Sequence, residues 1–575
     1  HVAHQLWHMQ KFYDSVDYTL LINELSRRGF PSHLMVLGFL AHCAPRILRV
    51  GKSFGPTVVD CRNSMLAGCQ LSVSFTRGLL WQLVADLSVI DPEYPCSSHV
   101  DDLSQVFVAE RKKDLEKNLL EAGRKVGSEV KRLKLTLSSK STLIPENALT
   151  IRVAKKLTEE GIPLSTADTH DDVGIEMAAG QQRTDSTMNN RFFCKGGPRA
   201  NRIHGLVQID PLATKLAMTG VQPTQSYGHQ AMGANSFQQK AMAKKLKNCT
   251  RFGGTASCTT TTIAWKFGMA ADPCIRLPIE QLDMWAQVWY SATGADKQET
   301  RYSWQKKLTS YLSHGELDVA CGPAAGTIAA LMEIGWKPVR PDFWVVDKDT
   351  AVHLNKHPFT RLQIISCATK DLQRKVWAKA SKHQHGAGLE LGLPSFEAAR
   401  KATKYFRKAG LHSAAKALDY ILVGFFRDPE EGDDRTITYC NRCSRRAKAT
   451  RHHIAYECDD NSNIDDKLFL KSKNFWKKAN RFGKLFACLW YRGIVPYNAE
   501  RRSNEVQIHE ACLWSTKNFD AVLAESKLGF SDGTKDGKVP ICIRPAAFGA
   551  ITFKYGILDG KPHFYDIECC GGEVP

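Results

Sequence analysis

Three stretches of this chain carry side chains whose types and spacing could do chemistry. HVDDLS at 99–104 sets two adjacent carboxylates, Asp101 and Asp102, behind an apolar residue and among strand formers. At a hairpin turn such a pair can offer its oxygens to hard divalent cations. The competing reading is a solvated turn, since Asp-Asp pairs are common. CNRCSRRAKATRHHIAYEC at 440–458 sets Cys440 and Cys443 as a C-x2-C pair, followed by His453 and Cys458. Three thiolates and an imidazole can close a tetrahedral Zn2+ site, structural in type because all four positions are protein ligands. His452 is an alternative to His453, and unrelated cysteines in a reducing cell are the alternative to zinc. GFSDGTKDGK at 529–538 puts Asp532 at the end of a strand-like run, before Gly and Thr.

These residues need elements to position them. KFYDSVDYTLLINELSRRGFP (11–31) reads as a strand end running into an amphipathic helix, and SMLAGCQLSVSFTRGLLWQLV (64–84) as a Gly-led turn and an apolar helix. The spacing of Val108, Leu115, Leu119, Ala122, Val126, Val130 and Leu133 predicts one long helix over 108–133. KLTL (134–137) and DVGIEMA, within 134–180, read as short strands, and 200–430 reads as mostly helical without an internal repeat. The stretches 258–274 and 382–388 hold Cys and His without ligand spacing and read as structural. DPEEGDD at 428–434 reads as a linker into the Cys/His cluster. The last 45 residues turn to β character, with Asp559-Gly560 as a hairpin signal between two alternating runs.

Composition bounds the function classes. The 575 residues hold 78 Lys plus Arg against 59 Asp plus Glu, a formal charge of +19, with ordinary apolar (43%) and charged (24%) fractions. That length suggests about three to five domains rather than a disordered or fibrous chain. The positive excess points to a polyanionic partner, against a solvated basic surface as the plain alternative. Part of it lies between the Cys/His ligands, at Arg445, Arg446, Lys448 and Arg451. More lies in KLFLKSKNFWKKANRFGKLFACLWYRG (467–493), where lysines interleave with Phe475, Trp476 and Trp490. No run approaches the roughly 18 uninterrupted apolar residues of a spanning helix, and the first thirty residues do not read as a signal peptide, so no membrane is expected. Eighteen Cys are too dilute for a disulfide scaffold, so the expected location is intracellular, in nucleus or cytoplasm.

In their order, 11–31, 64–84, 99–104, 133–144 and 171–177 resemble the palm of reverse transcriptases, particularly those of non-LTR retrotransposons. In that family an Asp-bearing first motif runs into a helix after an aromatic–Asp pair. A Gly-led turn and helix, an aromatic–x–Asp–Asp hairpin, a Lys-bearing strand end and a Leu-Gly turn follow. The resemblance implies that Asp101 and Asp102 bind catalytic Mg2+ and that Tyr13 is the steric gate against a ribonucleotide 2′-hydroxyl. It further implies that Gly68, Leu71 and Ser72 line the template and nucleotide side, that Lys140 lies near the incoming triphosphate, and that Gly174 packs against the primer. Residues 440–458 resemble the small zinc segment found after the polymerase in such elements. The stretch from 529 resembles the first three strands of type 1 ribonuclease H, which would make Asp532 its first metal-binding carboxylate.

The chain departs from the family where the first catalytic Asp belongs: six residues before Asp14 stands His8. Two-metal nucleotidyl transfer uses carboxylate oxygens from two segments, and imidazole is a poor substitute around Mg2+. Asp14 or Asp17 could stand in only if the strand slipped register, and both read as lying at a helix start. His99 also replaces the usual aromatic residue, and no fingers segment precedes His1, so the chain reads as a fragment of a longer reading frame.

The expectation is a multidomain α/β chain. It comprises a partial reverse-transcriptase palm over 1–180, a helical thumb or connection over 181–430, a zinc knuckle and basic segment over 431–520, and a truncated ribonuclease H-like sheet over 521–575. The implied function is RNA-directed DNA polymerase, a nucleotidyltransferase, with RNA–DNA hybrid ribonuclease, impaired in this chain. Its partners would be RNA template, DNA primer or hybrid, and dNTP. The alternative is a catalytically silent zinc protein that binds nucleic acid.

Overall fold

The computed structural model describes residues 1–50, 52–59, 63–66, 68–178, 186–253, 256–314, 322–356, 360–425, 439–443, 445, 447–464, 480, 484–496, 514–515, 528–532, 547–558 and 561–573. From residue 514 on the description is of the backbone alone. The chain divides into two compact units, 1–196 with 224–232, and 197–223 with 233–575. Helix and sheet are mixed in both.

The first unit is built around strand β1 (Val2–Trp7). After helices α1 (Tyr18–Arg27) and α2 (Ser32–Cys43) comes a hairpin, β2 (Arg46–Val50) and β3 (Ser53–Val59). Helix α3 (Gln70–Ile90) leads to the hairpin β4 (Ser97–His99) and β5 (Asp102–Val108), then α4 (Lys112–Arg132), β6 (Thr142–Ile144), α5 (Ala148–Glu159) and β7 (Ser165–Thr166). The sheet order is β4-β5-β1-β6-β7, antiparallel apart from the β6–β7 pair.

Register assigns the two faces of this sheet. Ala3 pairs with Phe107, Gln5 with Gln105 and Trp7 with Leu103, and period-2 geometry sends all six side chains one way. That way is toward the helices. Gln5 Nε2 donates to the Leu119 carbonyl of α4 at 3.0 Å, and Gln105 Nε2 to the Leu87 carbonyl of α3 at 3.0 Å. Trp7, Leu103 and Phe107 join Leu79, Leu83, Leu119 and Val126 in one buried core. His4, His8, Asp102 and Ser104 are left for the other face.

The predicted helix over 108–133 begins later, at Lys112. Burial along Asp102–Val108 alternates with the period of a strand, so Val108 closes β5 rather than opening α4. From Leu115 to Val130 the apolar stripe is buried as the spacing predicts. KLTL (134–137) forms no regular strand, and only Leu137 bridges to Met9. DVGIEMA supplies the turn and second strand of a hairpin, β8 (Thr169–Asp172) and β9 (Ile175–Ala178). Val173 and Gly174 turn it at φ 48° and 72°.

By length and composition α3, at 21 residues, is apolar enough to cross a membrane, although polar residues such as Thr76, Arg77 and Gln82 interrupt its apolar run. Its Phe75, Leu79, Leu80, Leu83 and Leu87 are buried in the core of the first unit.

The second unit is mainly helical, as the sequence pattern predicts. Its helices are α6 (Gly197–Ile209), α7 (Ser236–Asn248), α8 (Thr259–Lys266), α9 (Pro273–Ser291), α10 (Gly294–His314), α11 (Pro323–Ile334), α12 (Thr360–Ser381), α13 (Glu397–Lys408) and α14 (His412–Leu422). A small sheet not anticipated from sequence, β10 (Lys337–Arg340), β11 (Phe343–Val345) and β12 (Thr350–His353), packs Trp344 against Trp336, Trp285 and Trp304. β13 (Trp514–Ser515) pairs with β12. A further antiparallel sheet runs β14 (Leu528–Asp532), β15 (Ala547–Leu558), β16 (Lys561–Glu573), with Leu558 paired to Lys561. Asp559-Gly560, the acidic linker 428–434 and most of the basic segment 467–493 lie outside the described residues.

Candidate functional site

The Cys/His cluster forms around a tight backbone reversal. Tyr439 bridges to Lys448, and the Cys440 N–H donates to the Ala447 carbonyl at 2.8 Å, which folds Cys440 and Cys443 back on themselves. A short helical turn, His453–Glu457, brings the other two ligands over them. Cys440 Sγ lies 3.8 Å from Cys458 Sγ, and Cys443 Sγ lies 3.3 Å from His453 Nε2. All four ligand atoms fall within 4.8 Å of one another. Tetrahedral Zn2+ with usual bond lengths holds such pairs roughly 3.5–3.8 Å apart, so the donor set fits a metal ion such as zinc. Backbone N–H donation from Arg442 draws the Cys440 thiol down to about 6, which favours the thiolate that a metal requires.

The choice between adjacent histidines is made by packing. His453 is buried and aims at Cys443, whereas His452 places Nδ1 2.9 Å from the Tyr491 hydroxyl and Nε2 3.2 Å from Glu457. The basic residues between the ligands are partly engaged within the knuckle. Arg445 meets Asp459 at 2.6 Å, and Arg451 donates to the Tyr491 carbonyl. Lys448 is exposed, and Arg446 lies outside the described residues.

In the first unit, Asp101 sits in the β4–β5 turn beside Val100 at φ 60°, and Asp102 opens β5. Burial, and then the neighbouring Asp102 charge, push the Asp101 carboxyl up. Extending the β1–β5 register by one pair sets His8 opposite Asp102, and His8 Nδ1 lies 2.7 Å from Asp102 Oδ1. That hydrogen bond raises the His8 pKa. On its other side His8 Nε2 lies 3.2 Å from His170 Nε2 of β8, with ring centroids 5.4 Å apart. His4, two positions from Leu6 on the same strand, holds Nε2 2.7 Å from Ser104 Oγ. His4 and His170 are both pushed down by burial. The Asp172 charge acts on His4, His8 and His170 alike.

The remaining expected residues lie as follows. Tyr13 is half-buried against the core, and its hydroxyl is pushed up by burial and then by the Asp101 charge. Gly68, at φ 88°, turns the chain into α3, which needs a residue without Cβ strain. Ser72 is fully buried and donates to the Leu66 carbonyl at 2.8 Å, while Leu71 packs against the core. Lys140 is exposed, with its charge acting on His8. Asp17 is the N-cap of α1, accepting from the Thr19 and Leu20 N–H groups. Asp532 ends β14, its backbone paired with Gly549.

Sequence reading missed His4, His170 and Asp172. The signal was the alternation in THDD, which places His170 and Asp172 on one face of a strand. It also missed a basic groove of about 500 Å3 lined by Trp265, Lys266, Arg400, Thr403, Lys404, Arg407 and Lys408. Arg400, Lys404, Arg407 and Lys408 recur at helical spacing along α13, with Asp419 anchoring Lys266 at 2.8 Å.

The Mg2+ expected from the resemblance does not fit the donors around Asp102. A hard cation of this kind takes oxygen ligands at near-octahedral geometry. The segment facing Asp102 supplies an imidazole instead, already bonded to its Oδ1. No family model matches this chain, and no curated protein matches it.

Proposed function

We propose that this chain acts on nucleic acid through a polymerase-type palm related to those of non-LTR retrotransposons, with its own DNA synthesis impaired at His8. One observation carries the reading. His8 and Asp102, 94 positions apart, are in contact at 2.7 Å on adjacent strands. The resemblance assigns those two positions to carboxylates from separate segments that must meet around the same ions. The Asp-Asp hairpin, the turn at Gly68 and the turn at Val173–Gly174 support the same reading. An Asp532-bearing three-stranded sheet supports a ribonuclease H-like element. The zinc-type knuckle supports a structural Zn2+ between them in sequence.

Primer extension on an RNA template with the full chain and dNTPs is the test. Synthesis should stand near background, and His8→Asp should raise it at least tenfold, because an oxygen donor then faces Asp102. Robust synthesis by the unaltered chain would contradict the reading.

A second reading, a catalytically silent zinc protein that binds nucleic acid, is favoured by the basic groove along α13. On that reading binding is salt-dependent, and His8→Asp leaves synthesis at background.

A further inference from the structure

We propose that the metal-loaded knuckle is a brace: through the segment 487–495 it fixes both walls of the α13 groove for a nucleic-acid backbone that the knuckle itself does not touch. The ligand rests on the second reading above, while the brace stands on contacts within the chain. Knuckle, segment and groove all lie in the second unit.

The knuckle grips the segment at Trp490 and Tyr491. The Tyr456 hydroxyl donates to the Trp490 carbonyl at 2.9 Å, and Arg451 Nη1 donates to the Tyr491 carbonyl at 3.1 Å. His452 Nδ1 lies 2.9 Å from the Tyr491 hydroxyl. These three side chains stand in or beside the turn that carries His453, so closing the four donors around an ion fixes where they are.

From there the segment reaches each wall. Arg492 is fully buried and donates from Nε and Nη2 to the Leu422 carbonyl, at the end of α14, at 3.0 and 2.7 Å. Its Nη2 also donates to Thr261 Oγ1 of α8 at 2.6 Å. Val495 bridges to Ser395, just ahead of α13, through backbone hydrogen bonds of 2.9 and 3.2 Å. Cys488 and Ile494 share one buried core with Trp265 of α8, Phe396 and Leu422. The groove takes Trp265 and Lys266 from α8 and its other cations from α13. Asp419 of α14 accepts from both Trp265 Nε1 and Lys266 Nζ.

The segment does not hold this course alone. Its helix, Ala487–Trp490, has four residues, far below the length at which a helix is stable by itself. It also buries a guanidinium against a carbonyl and a hydroxyl, with no carboxylate partner among the described residues, and such burial is unfavourable. Anchoring at the knuckle offsets both. The competing arrangement is a segment held by its own apolar contacts, indifferent to the metal.

The test compares the full, reduced chain loaded with Zn2+ and stripped by a chelator, with metal content measured in each. Native-state hydrogen exchange of 487–495, the first turn of α13 and the end of α14 should be at least tenfold faster in the stripped chain, with α9 and α11 unchanged. Returning Zn2+ should restore protection in the parent and not in Cys443→Ser. His452→Ala with Tyr456→Phe should keep the metal and still exchange faster at 487–495, because it cuts the grip and spares the ligands.

Single-stranded RNA is the binding probe. Stripping should weaken its binding at least fivefold in the parent and leave Arg400→Ala with Lys404→Ala no weaker than when loaded. Equal metal dependence in the parent and that double variant would place the RNA on the knuckle and overturn the proposal. Exchange indifferent to metal, or faster by the same factor in α9 and α11, would overturn it as well. A loaded chain that binds no RNA would fail the nucleic-acid reading, and exchange would then decide the brace by itself.

Discussion

His453 presents Nε2 3.3 Å from Cys443 Sγ, while its sequence neighbour His452 is turned toward Tyr491. Adjacent residues in a helical turn point about 100° apart, so only one of them can reach the thiolates. Metal analysis of Cys443→Ser or His453→Ala should show one equivalent fewer per chain than the parent. His452→Ala should keep that equivalent, because its contacts are to Tyr456, Tyr491 and Glu457 and not to the thiolates. Loss of metal in His452→Ala, and not in His453→Ala, would reverse the assignment.

Glu24 of α1 is buried and paired with three arginines. Arg132 of α4 approaches at 2.6 Å, Arg27 at 2.8 Å and Arg28 at 3.8 Å. Removing Arg132 leaves the carboxylate with its local partners alone, since Arg27 and Arg28 come from its own end of the chain. Arg132→Ala should therefore destabilise the α1–α4 contact by about 1–3 kcal/mol. Native-state hydrogen exchange should show faster opening of α1 and α4, with α13 and α14 unaffected.

Asp272 caps α9 from a fully buried position, where its Oδ1 accepts the Cys274 N–H at 2.9 Å. Burial raises its pKa from 3.8 to about 6. A raised carboxyl pKa means that the folded state binds the proton first as pH falls. The group therefore adds stability between about pH 6 and pH 4, and above pH 6 it carries a desolvated charge. Asp272→Asn keeps the capping oxygen and removes the charge. It should be more stable than the parent at pH 7.5 by about 1–2 kcal/mol. The difference should shrink toward zero near pH 4 in parallel thermal melts. A pH-independent difference would assign the effect to packing instead.

The groove along α13 should contribute to polyanion binding. Arg400→Ala with Lys404→Ala should weaken binding of single-stranded RNA. The same pair should reduce the magnitude of the log K against log salt slope by about 1–2, one released counterion for each lost phosphate contact. The Lys266–Asp419 pair lies at one side of the groove. Lys401, on the same helix and absent from the groove lining, is the control position.

Much of the local structure is legible in the chain itself, for reasons that are local in physics. The apolar stripe from Leu115 to Val130 sets α4 through its helical period, but not its start. At Val108 a strand period and a helix period overlap, and only pairing with Val2 decides between them. Asp101-Asp102 reads as a turn pair because β-formers flank it. The four metal ligands are legible because spacing alone limits what 19 residues can close around an ion.

The rest depends on residues that are far apart in the chain and share no pattern. Nothing in THDD announces that His170 meets His8 across 162 positions; that contact exists because β8 lies over the end of β1. The α13 groove likewise needs Lys266, held by Asp419 153 positions away, to meet Arg400 and Lys404 of α13. Sequence by itself determined which donors this protein owns: three thiolates beside two histidines, a pair of carboxylates, and a histidine where a carboxylate would be expected. Tertiary structure alone decided which of those donors meet, choosing His453 over His452 and setting His8 between Asp102 and His170. Side-chain direction and long-range strand register are fixed by packing, and neither is encoded in spacing along the chain.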